Sequence, residues 1–313
     1  MSLNRRDFVK LCTGTVAGFG VAQMFHPAVR EALAGTLTGE RPPVIWLQGQ
    51  GCTGCSVSLL NNVNPSIADV LLKIISLEYH PTVMGGEGHD AYTHMLNIAK
   101  NFKGKFFLAI EGSIPLAKDG RYCVVAEEGH TEITMADLVK KLAPDAAAVL
   151  ALGTCAAYGG IPAAKGSVTE AMGTGAMLKQ AGIKTPVVNI PGCPPQPDWI
   201  VGTIGLGLQA LATNTLGLLV KQGLDANGRP KAFYKNVHMN CPHLSAFEAG
   251  HMVKTMSDKD GCRFSMGCKG PRSACDSFER KWNNGVNWCV NNATCIGCTS
   301  PTFPDGQSPF YVN

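Results

Sequence analysis

Cysteine is the residue type most able to do chemistry in this chain. The 313 residues include 13 cysteines, and eleven of these, with one histidine, can be arranged in three sets of four. Four protein ligands, mostly thiolates with an occasional histidine, are what an iron–sulfur cluster needs, and three clusters in one chain predict a path for single electrons. The first set is Cys52, Cys55, Cys155 and Cys193; the second is His238, Cys241, Cys262 and Cys268; the third is Cys275, Cys289, Cys295 and Cys298.

The first set is scattered along the chain, but each of its cysteines follows the end of a predicted strand. Ligands of open α/β sheets bind at the carboxyl ends of the strands, so the four thiols are expected to meet at one edge. A lone Cys-x2-Cys would suit zinc or a redox dithiol equally well, whereas two further cysteines at matching strand ends favour an iron–sulfur cluster. Residues 44–48 precede Cys52 and Cys55, residues 148–152 precede Cys155, and residues 187–190 precede Cys193.

An acidic residue follows another of these strands. Glu111 comes directly after the predicted strand 106–110, so its carboxylate should face the same edge as the first set. One interpretation makes Glu111 a hydrogen-bond acceptor or a proton-relay group close to the cluster. The other interpretation, equally open from the sequence, is a turn carboxylate satisfied by local amides.

The second and third sets each combine a short clamp with a more distant pair of ligands. The histidine of the second set is not fixed by spacing, because His243 and His251 are rival candidates to His238. A neutral histidine in place of a thiolate raises the potential of a cluster. The clamps are Cys262-x5-Cys268 and Cys295-x2-Cys298, and the distant pairs are His238 with Cys241 and Cys275 with Cys289.

Two cysteines remain outside the three sets. Cys12 lies near the N-terminus, and Cys123 lies in a predicted hairpin at residues 122–126. A free cysteine in such a place most often packs as a small apolar side chain, and this is the interpretation we favour for Cys123.

The elements that must position these ligands change character part-way along the chain. Up to residue 213, short apolar strands alternate with helical periodicity, which predicts an α/β fold with a flavodoxin-like, doubly wound parallel sheet. From residue 214 the sequence is irregular, and bound clusters are expected to stabilise a C-terminal iron–sulfur domain there. The predicted strands are 44–48, 77–83, 106–110, 148–152 and 187–190, and the predicted helices are 67–75, 91–102, 135–142, 169–181, 199–211, 244–256 and 277–282.

The N-terminus has the features of an export signal. Residues 4–10 have the form of a twin-arginine motif, a glycine-rich, weakly apolar stretch follows, and an Ala-Leu-Ala cleavage site ends at Ala34. We expect residues 1–34 to be removed and the domains 35–213 and 214–313 to reach the periplasm already folded. Because this route exports folded proteins with their cofactors, disulfides are a poor explanation for most of the cysteines.

Charge and composition narrow the function classes. Charged residues make up 16% and hydrophobic residues 45% of the chain, so we expect a partner to cover much of its surface. The net charge of +4 includes the basic N-terminal segment, and the rest of the chain is close to neutral. A nucleic-acid role therefore has no electrostatic support, and any membrane contact is expected to be indirect.

Taken in order, the motifs resemble those of the small subunit of nickel–iron hydrogenases over essentially the whole chain. The resemblance implies a proximal four-iron cluster on the first set, a medial cluster on the third set and a distal cluster on the second, with His238 as the histidine ligand. The matching motifs are the leader, Cys52-Thr-Gly-Cys55, Glu111-Gly-Ser-Ile-Pro115, Gly153-Thr-Cys155, Gly192-Cys-Pro-Pro195, His238-x2-Cys241, Gly267-Cys-Lys-Gly-Pro271 and Cys295-x2-Cys298.

Two positions depart from the common pattern of that family. Most members have a proline at the position of Cys289 and hold a three-iron medial cluster. A cysteine at this position resembles the nickel–iron–selenium branch and implies a third four-iron (4Fe-4S) cluster. Many relatives have a glutamate where this chain has Val57, so any role of that carboxylate is absent or supplied elsewhere.

The resemblance implies the electron-transfer subunit of a periplasmic hydrogenase. Dihydrogen would be cleaved at the nickel–iron centre of a large subunit, so this chain would hold no catalytic residue and would be inactive outside an obligate heterodimer. Electrons would leave near His238 for a soluble multihaem cytochrome c, and four-iron clusters throughout would suit hydrogen evolution as well as oxidation. Two alternatives stay open: an iron–sulfur subunit of another redox complex, such as a quinone-reductase module, and a structural zinc or disulfide-bonded protein.

Overall fold

The structure is a computed structural model that describes residues 41–63, 65–281 and 293–311. The expected leader, Cys12 and Cys289 lie outside the described residues. In the described part of the chain, five strands form one parallel sheet and two more form an antiparallel hairpin. The sheet consists of β1 Pro43–Gln48, β2 Ser76–Tyr79, β3 Phe107–Glu111, β6 Ala148–Leu152 and β7 Val187–Ile190, and the hairpin of β4 Val124–Glu128 and β5 Thr131–Thr134.

The order of strands across the sheet is β2-β1-β3-β6-β7, and every neighbouring pair is parallel. Counting only these strands along the chain, the order is 2-1-3-4-5, which is the flavodoxin-like, doubly wound arrangement. The predicted fold class is therefore confirmed. All residues of β3 and β6 are buried, as expected for central parallel strands that are covered on both faces.

Helices cover both faces of the sheet. They are α1 Gly54–Leu60, α2 Ile67–Asp69 with a π-helical turn at Val70–Ile74, α3 Gly88–Asn101, α4 Met135–Leu142, α5 Gly153–Tyr158, α6 Thr174–Gln180 and α7 Pro197–Ala212. Side chains alternate along β1, so that Ile45 and Leu47 enter a core closed by α3, α4 and α6. Val44 and Trp46 enter a second core, which is closed by α1 and α7.

Four predicted elements are shorter in the structure by two residues or more, and one of these, the helix predicted at 277–282, ends at residue 280. The strand predicted at 77–83 ends at Tyr79, because the chain turns at His80, whose Nδ1 accepts a hydrogen bond from the Thr82 amide at 3.1 Å. The helix predicted at 169–181 begins only at residue 174, since Met172 pairs instead with Ile114. The helix predicted at 244–256 ends at residue 248, ahead of a left-handed glycine at position 250.

The C-terminal part is irregular, as predicted, and it packs back onto the sheet. Its described α-helices are short: α8 Leu216–Leu218, α9 Leu244–Glu248 and α10 Ser277–Arg280. Phe233 and Tyr234 enter the same core as Trp46. The Phe233 ring lies against Gly202 of α7, where a Cβ atom would come within 2.7 Å of it. Among the described helices, none is long and apolar enough to cross a membrane.

A buried ion pair ties the C-terminal part to α7. The Asp276 carboxylate is 3% exposed and accepts a hydrogen bond from the indole N–H of Trp199 at 2.7 Å. It also accepts two from the Arg280 guanidinium, at 3.0 and 2.7 Å. Burial raises the pKa of Asp276, and the hydrogen bonds from Arg280 oppose that rise. A second carboxylate, that of Asp198, lies 3.5 Å from Arg280.

Candidate metal-cluster sites

The four cysteines of the first set lie together at the carboxyl edge of the sheet. Cys52 and Cys55 follow β1 and enter α1, Cys155 is in the first turn of α5 after β6, and Cys193 follows β7. The pKa of the Cys55 thiol is raised first by burial, then by Glu111, and also by the other three thiols. Burial and then the neighbouring Cys193 raise the pKa of Cys155 to about 11.

The first set has the chemistry that a cluster would require. Burial and mutual repulsion both disfavour four bare thiolates, and bound iron cations would remove both penalties. Glycines leave space around the sulfurs: a Cβ atom on Gly153, which has a φ of +82°, would collide with the Cys55 sulfur. At Gly160 a Cβ atom would lie 2.9 Å from the Cys155 sulfur. The residues present therefore fit a four-iron cluster.

Glu111 anchors the loop that carries the first two cysteines. Its carboxylate is 2% exposed and accepts hydrogen bonds from the backbone amides of Cys55, at 2.9 Å, and Ser56, at 3.1 Å. Three side chains also donate to it: the Trp46 indole at 3.0 Å, the Gln48 amide at 3.1 Å and the Ser56 hydroxyl. The donors come from β1 and α1, so this carboxylate is not satisfied by local amides.

Sequence reasoning missed Ser56 and His80, two residues in the hydrogen-bond network of Glu111. The Ser56 hydroxyl lies 3.1 Å from Nε2 of buried His80, and the His80 ring packs 4.9 Å from the Trp46 ring. Because Nδ1 of His80 accepts from a backbone amide, the neutral ring carries its proton on Nε2 and donates to Ser56. The signal available beforehand was Trp46, since an indole in a buried strand needs an acceptor for its N–H group.

The second set surrounds a small cavity of about 30 Å³ in the C-terminal part. His238, Cys241, Cys262 and Cys268 all line this cavity, and His243 lines it as well. Nη1 of Arg263 lies 3.3 Å from Nε2 of His243. A guanidinium can only donate, so this contact occupies the Nε2 lone pair and leaves His238 as the better candidate ligand.

Backbone amides already point at sulfurs of the second set. The amide of His243 donates to the Cys241 sulfur, and the amide of Gly270 donates to the Cys268 sulfur, both at 3.4 Å. Such N–H···S contacts tune the potential of iron–sulfur clusters. These residues also fit a cluster.

Three members of the third set, Cys275, Cys295 and Cys298, line a larger cavity of about 170 Å³. Burial raises the pKa of the Cys275 thiol to about 12. Cys193 of the first set lines the same cavity, and Cys295 also lines the cavity of the second set. The third set therefore lies between the first and the second.

The described residues contain no group of three His, Cys, Asp or Glu side chains that could hold a single metal ion. Ligands of one zinc ion all lie within about 2.3 Å of it, whereas a four-iron cluster spreads its ligands around a larger core.

Comparison with known proteins identifies the family. Residues 233–311 match the model of the C-terminal region of NiFe/NiFeSe hydrogenase small subunits. The periplasmic NiFeSe hydrogenase small subunit of Desulfomicrobium baculatum is 51% identical, over 100% of this chain and 99% of that protein. The chain belongs to the family of NiFe and NiFeSe hydrogenase small subunits.

Solved structures of hydrogenases agree with this placement. The NiFeSe hydrogenase of Desulfovibrio vulgaris Hildenborough, in the oxidized state, has a chain 62% identical to this one, with a TM-score of 0.86 over 88% of this chain and 99% of that chain. The reduced, active enzyme of Desulfomicrobium baculatum gives 51% identity and a TM-score of 0.83, over 87% and 99% of the two chains.

The N-terminal half of this hydrogenase small subunit also matches a second family. Residues 52–206 match the model of the NADH ubiquinone oxidoreductase 20 Kd subunit. The matched range contains four of the five strands of the sheet, β2, β3, β6 and β7, and the four cysteines of the first set. The C-terminal match and the full-length relatives decide for the hydrogenase family over a quinone-reductase module.

In this small subunit, Cys123 lies just before β4, half-buried against the core beneath the hairpin. Burial raises the pKa of its thiol. Replacing Cys123 by alanine is therefore expected to leave the iron content of the purified heterodimer unchanged, with iron measured against protein. Loss of iron from this variant would show that the three sets are assigned wrongly.

Proposed function

We propose that this chain is the electron-transferring subunit of a periplasmic hydrogenase, with three 4Fe-4S clusters between the nickel–iron site of the large subunit and an external acceptor. The observation that carries the proposal is the row of sites. Cys193 lines the cavity of the third set and Cys295 lines that of the second, which supports a row in which the third set is the neighbour of both others.

The row supports one order of the sets along the proposed path. The first set would hold the proximal cluster, the third set the medial cluster and the second set the distal cluster. Each cluster, when bound, accepts and releases one electron at a time. The chain itself supplies buried thiols, amide donors to sulfur and glycines that admit the clusters. Cys289, outside the described residues, is proposed as the fourth medial ligand.

Exposed apolar residues mark the end of the row that would face the large subunit. Val57 and Leu60 of α1, and Val63 after it, are all exposed beside the loop of Cys52 and Cys55. Apolar surface next to a buried cofactor site is typical of a permanent subunit interface. We propose that this surface is covered by the large subunit, that the chain alone is inactive, and that the two chains purify together.

The opposite end of the row is proposed as the exit for electrons. His238 is half-buried, and the neighbouring Met239 is exposed. A soluble multihaem cytochrome c is the proposed acceptor, and four-iron clusters throughout support hydrogen evolution as well as oxidation. We further propose export of the folded chain to the periplasm by the twin-arginine route, directed by residues 1–34, which are then removed to leave domains at 35–213 and 214–313.

Iron analysis tests the cluster count. The purified heterodimer should contain about 12 iron atoms in this chain, that is three sites of four, and should bleach on reduction. Replacing Cys289 by proline should lower the count to about 11 and give a paramagnetic three-iron signal in the oxidised protein. Iron held by the partner is the same in both heterodimers, so the difference of about one atom between them belongs to this chain.

Cys123→Ala is the matched control for the loss of a cysteine and should retain the full iron content. A colourless heterodimer, or cysteines found joined as disulfides, would refute the proposed function. A Cys289→Pro variant with the iron content of the natural chain would refute Cys289 as a ligand.

A further inference from the structure

One buried hydroxyl connects the first set to the third. Thr154 is 1% exposed and directly precedes Cys155. Its Oγ1 accepts a hydrogen bond from the amide of Gly192 at 2.9 Å and donates to the carbonyl oxygen of Cys298. Thr154 is therefore bonded on one side to the chain next to Cys155 and Cys193, and on the other to a cysteine of the third set.

A comparable link joins the third set to the second. The amide of Lys269, the residue after Cys268, donates to the carbonyl oxygen of Cys295 at 2.8 Å. Both cysteines of the Cys295-x2-Cys298 clamp thus accept a hydrogen bond through their carbonyl groups, each from a residue adjacent to a ligand of a neighbouring set. The two links differ in one respect: the Lys269 link is made by backbone alone, whereas the Thr154 link depends on a side chain.

We propose that Thr154 is a positioning residue for electron transfer: its hydroxyl supplies the hydrogen-bonded connection through which the proximal and medial sites are electronically coupled. The inference rests on the proposed function. Electronic coupling decays more slowly through covalent and hydrogen bonds than across a gap. The route runs from Cys155 through Thr154 to Cys298. For each electron that passes, the proximal site is oxidised by one electron and the medial site is reduced by one, with no bond made or broken.

The geometry distinguishes this role from simple packing. A packing role would need only the methyl group and the volume of Thr154. The proposed role needs the hydroxyl, because Oγ1 is the atom that contacts both Gly192 and Cys298. Valine keeps the shape of threonine without the hydroxyl, and serine keeps the hydroxyl without the methyl group, so the two variants separate the roles.

The experiment compares Thr154→Val and Thr154→Ser in the purified heterodimer. Iron content and the midpoint potentials of the clusters are measured first, and both variants should match the natural protein. The oxidised enzyme is then mixed with hydrogen and samples are frozen rapidly at successive times. The paramagnetic signals of the reduced proximal and medial sites are recorded in each sample. The delay between the proximal and the medial signal should be severalfold longer in Thr154→Val than in the natural protein. In Thr154→Ser this delay should equal that of the natural protein.

An unchanged delay in Thr154→Val, or a delay in Thr154→Ser as long as in Thr154→Val, would overturn the inference. If Thr154→Val loses iron, Thr154→Ala takes its place, since it removes the same hydroxyl and leaves more room, and the comparison with serine is repeated. The natural heterodimer reports on the proposed function separately: without three cluster signals there, the function itself fails, whereas three signals with a normal Thr154→Val delay refute the coupling role alone.

Discussion

Replacing Glu111 by glutamine is expected to lower the free energy of unfolding by about 2–9 kcal/mol, because two or three buried donors lose their acceptor at about 1–3 kcal/mol each. One carboxylate oxygen accepts from the amides of Cys55 and Ser56, and the other accepts from Trp46, Gln48 and the Ser56 hydroxyl. The amide group of glutamine must turn its NH₂ toward one of these groups of donors. The loop of Cys55 should then loosen, and iron should be lost first from the proximal site.

The measurement is the urea midpoint of cluster bleaching, compared between variants under identical conditions, since a protein with bound cofactors does not unfold in two states. Glu127→Gln is the matched control, because Glu127 is an exposed carboxylate in β4, and its midpoint should stay close to that of the natural chain. A Glu111→Gln variant with an unchanged midpoint and full iron would show that the carboxylate does not anchor the loop.

Replacing Arg280 by methionine is expected to destabilise the protein by about 3–5 kcal/mol, because it leaves the Asp276 carboxylate buried without its cationic partner. The Arg280 side chain is 9% exposed and that of Asp276 3% exposed, so water cannot substitute for the lost guanidinium. Total stabilities of domains are only about 5–15 kcal/mol, so the effect should be plain in the urea midpoint. Iron loss should begin at the medial site, because Asp276 directly follows Cys275.

A double variant identifies the cause of that effect. Asp276→Asn keeps an oxygen acceptor for the Trp199 indole but removes the charge, so Arg280→Met combined with Asp276→Asn should be more stable than Arg280→Met alone. Lys103→Met is the control: Lys103 pairs with Asp145 at 2.8 Å but is 71% exposed, and its loss should cost about 0–1 kcal/mol. A double variant as unstable as the single one would argue that packing of Arg280 on the Phe233 ring, rather than charge, is what matters.

The part of the site at the sheet edge could be predicted from the sequence. Cys52, Cys155 and Cys193 each follow a short apolar strand, and the carboxyl ends of parallel strands meet at one edge whatever lies between them. The same argument placed Glu111 there. It could not give the donors to Glu111, because these come from residues 46–56, a distant part of the chain that the pairing of β1 with β3 brings beside Glu111.

The arrangement of the C-terminal sets could not be derived from spacing. The loops there have no periodicity that fixes their path, so only the structure shows that Cys295 borders the cavities of both sets. The early end of the helix predicted at 244–256 and the late start of the one predicted at 169–181 have a similar cause. Met172, for example, forms a β-bridge with Ile114, and such a contact between distant parts of the chain cannot be predicted from local sequence. Cys289 stays a prediction.

The fit of Phe233 against Gly202 bears on how such proteins could arise. The module shared with the NADH ubiquinone oxidoreductase family ends before residue 233, yet its helix α7 makes room for a ring from beyond that module. A side chain at position 202 would press on the Phe233 ring, so residues 202 and 233 are expected to vary together during evolution in proteins that carry both segments. In proteins that have the module without the tail, position 202 is expected to be under no such constraint.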